Sequence, residues 1–181
     1  NVKKLQSYVM VSGPEGRIAT GYDYFVANVT GGYVFTNPTK KNIWVADFFE
    51  GKIDIYNDSL QLIKILVGPD EFNHQYKLIE EDGFKYVYFA KGTSYRGYLC
   101  YTLTQDHVYL VYEGTNGTPY RMEDLKNVEI FKLDWNGNLL CNYQLNKHAI
   151  AISVDSGEKY LYACCLDSYD GDVEFLKYVL K

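Results

Sequence analysis

The chain of 181 residues lacks three patterns, each of which is the mark of a large class of proteins. No segment keeps apolar residues at helical spacing over about a dozen positions, so we expect almost no helix. No run of about 18 apolar residues occurs, which argues against a membrane-spanning helix. The net charge is −5 with both signs interspersed, and phosphate binding needs a basic patch. We therefore expect no nucleic-acid partner.

The four cysteines, Cys100, Cys141, Cys164 and Cys165, lack the C-x-x-C spacing of zinc and redox sites. Cys100 and Cys141 are predicted on the first and last strands of one sheet, roughly 14 Å apart, beyond the ~7 Å reach of a disulfide. Cys164 and Cys165 are consecutive and point to opposite faces of a strand. We expect small buried thiols, which do not indicate a redox compartment.

A pattern that the sequence does contain occurs three times. Its copies are Ile43–Ala46 with Ile53–Tyr56, Val108–Val111 with Val128–Phe131, and Leu161–Cys164 with Val173–Leu176. Each copy has an apolar run, a polar loop, and a second run with an acidic residue between apolar ones, as neighbouring antiparallel strands would have. The 19 Tyr, 9 Phe and 2 Trp suit pleated strands. Repeats of roughly 40 to 50 residues are typical of propeller blades.

These repeats predict a single all-β domain, residues 1–181, made of four-stranded antiparallel propeller blades. The units lie at about 33–70, 98–146 and 148–181, with a partial unit at 1–32 and an insertion or hairpin at 71–97. At about 40 to 45 residues a blade, the length supplies roughly four blades, and the last unit stops at its third strand. We therefore expect an incomplete C-terminal portion of a larger propeller, and a homo-oligomer that forms through open blade edges.

The middle unit predicts a full strand order. Its strands are Tyr98–Thr104 innermost, then His107–Tyr112, Val128–Trp135, and Leu139–Leu145 after an Asn136-Gly137-Asn138 turn. Trp44, Tyr109 and Tyr162 occupy one place in the three copies. Equivalent positions face equivalent neighbours, so all three should pack between blades or none should.

A family resemblance rests on "IWVADFFEGKIDIYNDSLQLIKILVGPDEF" from Ile43, "VYLVYEG" from Val108, "VEIFKLDWNGNLLCNYQL" from Val128 and "KYLYACCLDSYDGDVEFLKYVL" from Lys159. Over about residues 33–181 the chain resembles the TolB-like six-bladed β-propeller family of bacterial envelope lipoproteins. The resemblance implies a six-bladed propeller, a cell-envelope or periplasmic setting with a lipid anchor in the parent protein, and no established catalytic activity. The chain departs from the family in its length and in having no N-terminal lipobox cysteine.

The loops between second and third strands are the predicted binding surface. The offset between the first two copies grows from 65 residues (Trp44 to Tyr109) to 75 (Ile53 to Val128), so the second loop has ten extra residues. Insertions in stacked units collect on one face, often the binding face. We expect a protein or glycan ligand to contact Phe48, Phe49, Tyr120, Arg121 and Tyr169. Phe48 and Phe49 are either an exposed aromatic contact or tucked between blades.

Asp167, Asp170 and Asp172 surround Gly171 and are the one candidate metal site, for Ca²⁺, because hard cations prefer several oxygen ligands on a tight loop. A solvated turn explains the same residues, since the spacing is not that of an EF-hand. His74, His107 and His148 are scattered and are interpreted as surface or turn residues.

Two classes of function remain open. A non-enzymatic binding or scaffold module would use the loops, whereas a propeller-type hydrolase or lyase would gather polar residues at the central channel. An enzyme should carry His, Asp, Glu or Arg on its innermost strands. The predicted innermost strand Tyr98–Thr104 offers tyrosines and threonines instead, so the sequence favours the binding module.

Overall fold

The structure, a computed structural model, describes residues 31–37, 39, 41–70, 76–81, 84–89, 95–116, 128–166 and 172–181. Every regular element in these ranges is a β-strand and none is a helix, so the all-β prediction is confirmed. In the same ranges there is accordingly no apolar helix long enough to cross a membrane.

The strands form three antiparallel meanders and one hairpin. Sheet 1 contains β1 (Gly32–Asn37), β2 (Asn42–Asp47), β3 (Lys52–Tyr56) and β4 (Leu62–Val67). The hairpin is β5 (Tyr76–Glu81) with β6 (Phe84–Phe89). Sheet 2 contains β7 (Tyr95–Leu103), β8 (His107–Asn116), β9 (Glu129–Asp134) and β10 (Leu139–Gln144). Sheet 3 contains β11 (His148–Val154), β12 (Tyr160–Leu166) and β13 (Val173–Val179).

The strand order predicted for the middle unit is confirmed, because sheet 2 runs from β7 to β10 with each strand paired to the next. The turn between β9 and β10 forms as its sequence predicts. Asp134 Oδ1 accepts hydrogen bonds from the amides of Asn136 and Asn138 at 2.9 Å, and Gly137 has a φ of 77°. Burial alone would raise the pKa of Asp134, but the hydrogen bonds from Asn138 and Asn136 together outweigh it and lower the pKa. A positive φ is the conformation for which glycine is favoured.

The sheets stack face to face, with sheet 2 in the middle. One face of sheet 2 packs against sheet 1 in a core that includes Trp44, Ile55, Leu110 and Trp135. Side chains alternate along β8, so Tyr109 points to the other face. There the buried side chains are Tyr109, Val111, Val128, Ile130, Leu145, Ala149, Leu161, Ala163 and Cys165. The middle sheet therefore takes part in two cores, and Val108 to Val111 are completely buried.

The prediction that Trp44, Tyr109 and Tyr162 share one environment is wrong. Trp44 and Tyr109 are 0% exposed, whereas Tyr162 is 44% exposed. The three residues nevertheless lie on the same face of their sheets. Trp44 faces sheet 2 and Tyr109 faces sheet 3, while Tyr162 lies on the face of sheet 3 that points away from sheet 2. Trp44 and Tyr109 are thus buried because a neighbouring sheet covers them, and Tyr162 is exposed because none of the described sheets covers its face.

The pairing of second with third strands shows that the sequence alignment of the three copies was shifted by two residues in the third strand. Trp44 pairs with Ile55, Tyr109 with Lys132, and Tyr162 with Lys177. The equivalent positions are therefore Ile55, Lys132 and Lys177, whereas the sequence alignment matched Ile53 with Val128. Side chains alternate with a period of two, so this even shift keeps every residue on its predicted face.

Candidate functional site

The connections from second to third strands all emerge at one end of the stacked sheets. We call this end the 2–3 face. Its described parts are Asp47–Gly51, Gly68–Asp70, Arg96–Gly97, Glu113–Gly114 and Asp172. Of the predicted ligand-binding residues, Phe48 and Phe49 lie at this end, because antiparallel neighbours return the chain there after every second strand.

The turn that follows β2 is held by a buried carboxylate. The Asp47 side chain accepts hydrogen bonds at Oδ1 from the amides of Phe49 and Glu50, both at 2.7 Å. Burial raises the pKa of Asp47, and the two amide hydrogen bonds act against that rise. Gly51 closes the turn with a φ of 61°, a left-handed conformation that other residues rarely adopt.

This turn is also fixed by neighbouring backbone. The Phe48 amide donates to the Gly31 carbonyl at 2.7 Å, and the Gly97 amide of sheet 2 donates to the Phe48 carbonyl at 2.6 Å. A Cβ on Gly97 would lie 2.6 Å from the Gly51 Cα, so only glycine permits this approach. The turn therefore belongs to a rigid contact between sheets 1 and 2.

The sequence left open whether Phe48 and Phe49 are an exposed aromatic contact or are packed between blades, and the structure shows some of each. Their rings contact edge to face, with centroids 4.8 Å apart and planes at 77°. Each side chain is half-buried. The pair is thus partly packed against the sheets and partly open to solvent, on a turn whose backbone is anchored at both sides.

Sequence reasoning missed a buried ion pair at the same end. Arg96 Nη2 lies 2.6 Å from Glu113 Oε1, and the Glu113 side chain is 0% exposed while that of Arg96 is 25% exposed. Beside it, the Tyr112 hydroxyl donates to Asp70 Oδ2 at 2.9 Å. Burial, followed by that hydrogen bond, raises the pKa of Tyr112. Arg96 was missed because β7 begins at Tyr95, three residues before the predicted start.

The other predicted site residues have different outcomes. Tyr120, Arg121, Tyr169, Asp167 and Asp170 lie outside the described residues. Asp172 is exposed just before β13. In the described part of the chain, no three His, Cys, Asp or Glu side chains are grouped so that they could hold a metal ion. The calcium site and the ligand contacts of these loops stay predictions.

A second polar cluster lies at the opposite end of the sheets, where the β11–β12 turn of sheet 3 meets sheet 2. We call it the Glu158 cluster: Thr104, His107, Tyr109, Lys132 and Glu158. Glu158 Oε2 lies 2.7 Å from His107 Nδ1, 2.8 Å from Lys132 Nζ and 2.8 Å from the Tyr109 hydroxyl. Thr104 donates to Oε1 at 2.5 Å. One carboxylate therefore ties sheet 3 to a turn and two strands of sheet 2.

The electrostatics of this cluster favour an ionised carboxylate. Burial alone would raise the pKa of Glu158, but hydrogen bonds from Lys132, Thr104, His107 and Tyr109 outweigh it and lower the pKa to about 2. Burial, together with the bond to Glu158, raises the pKa of Tyr109. Glu158 therefore carries a negative charge at neutral pH while Tyr109 keeps its proton.

The repeat spacing contained the signal for this cluster. Tyr109 and Tyr162 are 53 residues apart, and His107 and Glu158 are separated by 51 residues. Both lie in or next to first-to-second-strand turns of adjacent units. Residues that differ by one repeat length meet in stacked repeats, so His107 was not an isolated surface residue.

The comparisons agree with the predicted family. A family model described as TolB-like 6-blade propeller-like matches residues 31–157. Among solved structures, a member of the DUF4221 family from Bacteroides vulgatus is similar, with 10% identity, a TM-score of 0.45, and coverage of 83% of this chain and 47% of that one. The WD40 domain of Neurospora crassa Pan2 has 11% identity, a TM-score of 0.20 and coverage of 71% and 57%. This chain spans about half the length of each. No curated protein matches it.

Proposed function

The chain belongs to the TolB-like six-bladed propeller-like family, and on that premise we propose that it is a non-enzymatic binding or scaffold module that recognises a protein or glycan through its 2–3 face. The observation that supports this most is the half-buried Phe48–Phe49 pair on an anchored turn. Aromatic side chains on a rigid support provide contact area at little cost in conformational entropy. Loops on a rigid scaffold are common binding sites.

Phe49→Ala tests the proposal against a control at a different surface. A thermal-shift screen of glycans and peptides identifies a ligand, and its Kd is then measured for the wild type, Phe49→Ala and Tyr162→Ala. Tyr162 is an exposed aromatic residue of sheet 3 outside the 2–3 face. Loss of an aromatic contact should weaken binding about tenfold or more, whereas Tyr162→Ala should leave it unchanged. Equal Kd values for all three proteins would reject the 2–3 face as the site.

The alternative function, a propeller-type hydrolase or lyase at the central channel, has one observation in its favour. The innermost strand β7 includes Arg96, a residue that could stabilise an anion. Its guanidinium is paired with the buried Glu113, which favours a structural role. Turnover of a glycoside or ester panel by the wild type, lost in Arg96→Ala with the circular dichroism spectrum unchanged, would establish the enzyme instead.

The cellular location of the parent protein is a further part of the proposal and has its own test. The family is associated with the bacterial envelope, so we place the parent protein in the cell envelope or periplasm, held by a lipid anchor. Fractionation of cells that express the full natural gene should recover it there.

The proposed calcium site has a separate test. Ca²⁺ bound by Asp167, Asp170 and Asp172 should give a calorimetric signal that Asp172→Asn removes. An identical titration for both proteins would reject the calcium site and favour the interpretation of these residues as a solvated turn.

A further inference from the structure

Asp70 lies beside the turn that follows β2, and close contacts hold it there. The Gly68 amide donates to the Gly51 carbonyl at 2.9 Å, which ties the chain to that turn two residues before Asp70. The Tyr112 hydroxyl donates to Asp70 Oδ2 at 2.9 Å, and a Cβ on Gly114 would lie 2.7 Å from the same oxygen. Sheets 1 and 2 therefore meet around this carboxylate and give it a rigid support. A rigid site loses little conformational entropy when it binds a ligand.

The 2–3 face stays open however many sheets are stacked. Sheets 1, 2 and 3 pack through their faces, and the two cores lie between those faces. The 2–3 face lies instead at an end of the sheets, where the strands turn back. In a stack of repeats each sheet contacts only its neighbours, so a further sheet covers a sheet face and leaves this end accessible.

The described part of the 2–3 face is acidic. Its carboxylates outnumber its cations five to one, and they belong to Asp47, Glu50, Asp70, Glu113 and Asp172. The one cation, Arg96, is paired with Glu113, and Lys52 of the adjoining β3 is paired with Glu50. Asp70, in contrast, is exposed and accepts its hydrogen bond from an uncharged hydroxyl. Within the described residues, the charge of Asp70 therefore has no cation to balance it.

The Arg96–Glu113 pair leaves two buried atoms unsatisfied in the described part of the chain. Glu113 Oε2 has no hydrogen-bond donor, and Arg96 Nε has no acceptor. Buried polar groups without partners are unfavourable. A peptide that moves the 25% exposed Arg96 side chain slightly can supply both partners, because each peptide group has a donor N–H and an acceptor C=O. The pair therefore favours a ligand with both kinds of group next to Asp70.

We propose that the ligand of the 2–3 face is a peptide whose lysine or arginine side chain binds beside Asp70 and the Phe48–Phe49 pair. This rests on the proposed function and narrows its ligand from a protein or glycan to a basic peptide. An ammonium or guanidinium group pairs with a carboxylate and is attracted to the face of an aromatic ring. The half-buried rings of Phe48 and Phe49 stand on the turn to which Gly68 is bonded, so both kinds of contact are present at one place. An anionic ligand would instead meet like charge.

A random peptide array probed with the full chain tests the class of ligand. A chelator is present, so that no calcium ion neutralises Asp172. The peptides that bind should be enriched in lysine and arginine relative to the whole array. Added salt should weaken their binding, because it screens the attraction between charges.

Asp70→Asn tests where the basic side chain binds. The Kd of the tightest peptide is measured for the wild type, Asp70→Asn, Asp58→Asn and Phe49→Ala. Asp70→Asn removes a charge but keeps an acceptor for the Tyr112 hydroxyl, and it should raise the Kd at least about threefold. Asp58→Asn makes the same charge change in the exposed β3–β4 turn at the opposite end of the sheets, and it should leave the Kd unchanged. Circular dichroism checks that each variant stays folded.

The outcomes distinguish the basic ligand from the proposed function on which it rests. The basic ligand is rejected if the array selects no peptide, if the selected peptides are not enriched in lysine and arginine, or if Asp70→Asn binds as tightly as Asp58→Asn. In each of the last two cases, a loss of about tenfold or more in Phe49→Ala would still keep the 2–3 face as the binding site. A Kd that Phe49→Ala leaves unchanged would reject the face itself.

Discussion

The two interfaces of the middle sheet occupy equivalent positions but differ in chemistry. Between sheets 1 and 2, Trp44 and Trp135 meet edge to face at 5.7 Å, and Phe35 stacks on Tyr101 at 4.6 Å. Between sheets 2 and 3, sheet 3 contributes the smaller Leu161, Ala163 and Cys165. The second interface instead contains the Glu158 cluster, in which one carboxylate crosses to sheet 2.

The difference shows how one architecture is held by two kinds of interaction. Large aromatic side chains bury area and prefer particular ring orientations, which stabilises the first interface. Smaller apolar side chains bury less area. A hydrogen-bonded carboxylate adds direction, because its donors must lie where the oxygens are. We infer that the Glu158 cluster fixes how sheets 2 and 3 align. Between sheets 1 and 2, the alignment is fixed by the shape and the buried area of the aromatic side chains.

Trp44→Ala is the strongest test of the aromatic interface. It should lower the free energy of unfolding by about 3–5 kcal/mol, because it removes a fully buried ring and leaves a cavity. Its indole N–H has no hydrogen-bond partner among the described residues, so the loss is one of packing. Urea unfolding of dilute protein measures it. Tyr162→Ala, at the equivalent but exposed position, should change stability by no more than about 0.5 kcal/mol. Similar losses for the two variants would contradict the assigned faces.

Glu158→Ala tests the polar interface. It leaves the partly buried Lys132 and His107 and the fully buried Tyr109 without their shared acceptor, so we expect a loss of about 2 kcal/mol in the free energy of unfolding. Glu50→Ala is the matched control, because Glu50 pairs with Lys52 at 2.7 Å on the surface. Exposed pairs contribute about 0–1 kcal/mol. If both variants lose the same stability, the cluster is no more than a surface ion pair.

Much of the fold could be predicted from the sequence because strand periodicity is local. The apolar runs at Val108–Val111 and Val128–Phe131, with the Asn136-Gly137 turn, determine β8, β9 and the hairpin to β10 through neighbouring residues alone. Exposure of Tyr162 could not be predicted in this way. It depends on whether another sheet covers the face of sheet 3 that carries Tyr162, and the residues next to Tyr162 in sequence do not indicate this.

The candidate site was less predictable because its groups are distant in sequence. Phe48 and Phe49 stand out as apolar residues in a turn, but the Gly97–Phe48 hydrogen bond depends on the contact between two sheets. Glu158 lies 51 residues from His107, and neither residue is unusual in its own segment. Only the repeat length connects them. Equivalent turns of adjacent units should therefore be compared before a scattered histidine is assigned to the surface.

The pH dependence of stability should test the polar interface between sheets 2 and 3, whose central group is the ionised Glu158. The pKa of Glu158 is lowered to about 2 from its ordinary value of 4.5, so its ionised form stabilises the fold fully above pH 4.5. That stabilisation is lost as pH falls through about 2. Asp54 pairs with Val45 on the face of sheet 1 that points away from sheet 2, and burial raises its pKa, so its effect has the opposite sign and is lost as pH rises. In urea unfolding from pH 7 to pH 2, Glu158→Gln should flatten the acid decline. An unchanged acid limb in that variant would show that other groups cause it.

Tyr109→Phe isolates a single hydrogen bond of the Glu158 cluster and should have the smallest effect. Tyr109 is fully buried, and its hydroxyl donates to Glu158 Oε2 at 2.8 Å. Phenylalanine keeps the ring packed against sheet 3 and leaves Thr104, His107 and Lys132 on the carboxylate. We expect a loss of about 1–2 kcal/mol, since a hydrogen bond to a charged group is stronger than a neutral one. In the Glu158→Gln background the same substitution should lose less, and this difference measures the coupling. Equal losses in both backgrounds would mean that the hydroxyl contributes independently of the charge on residue 158.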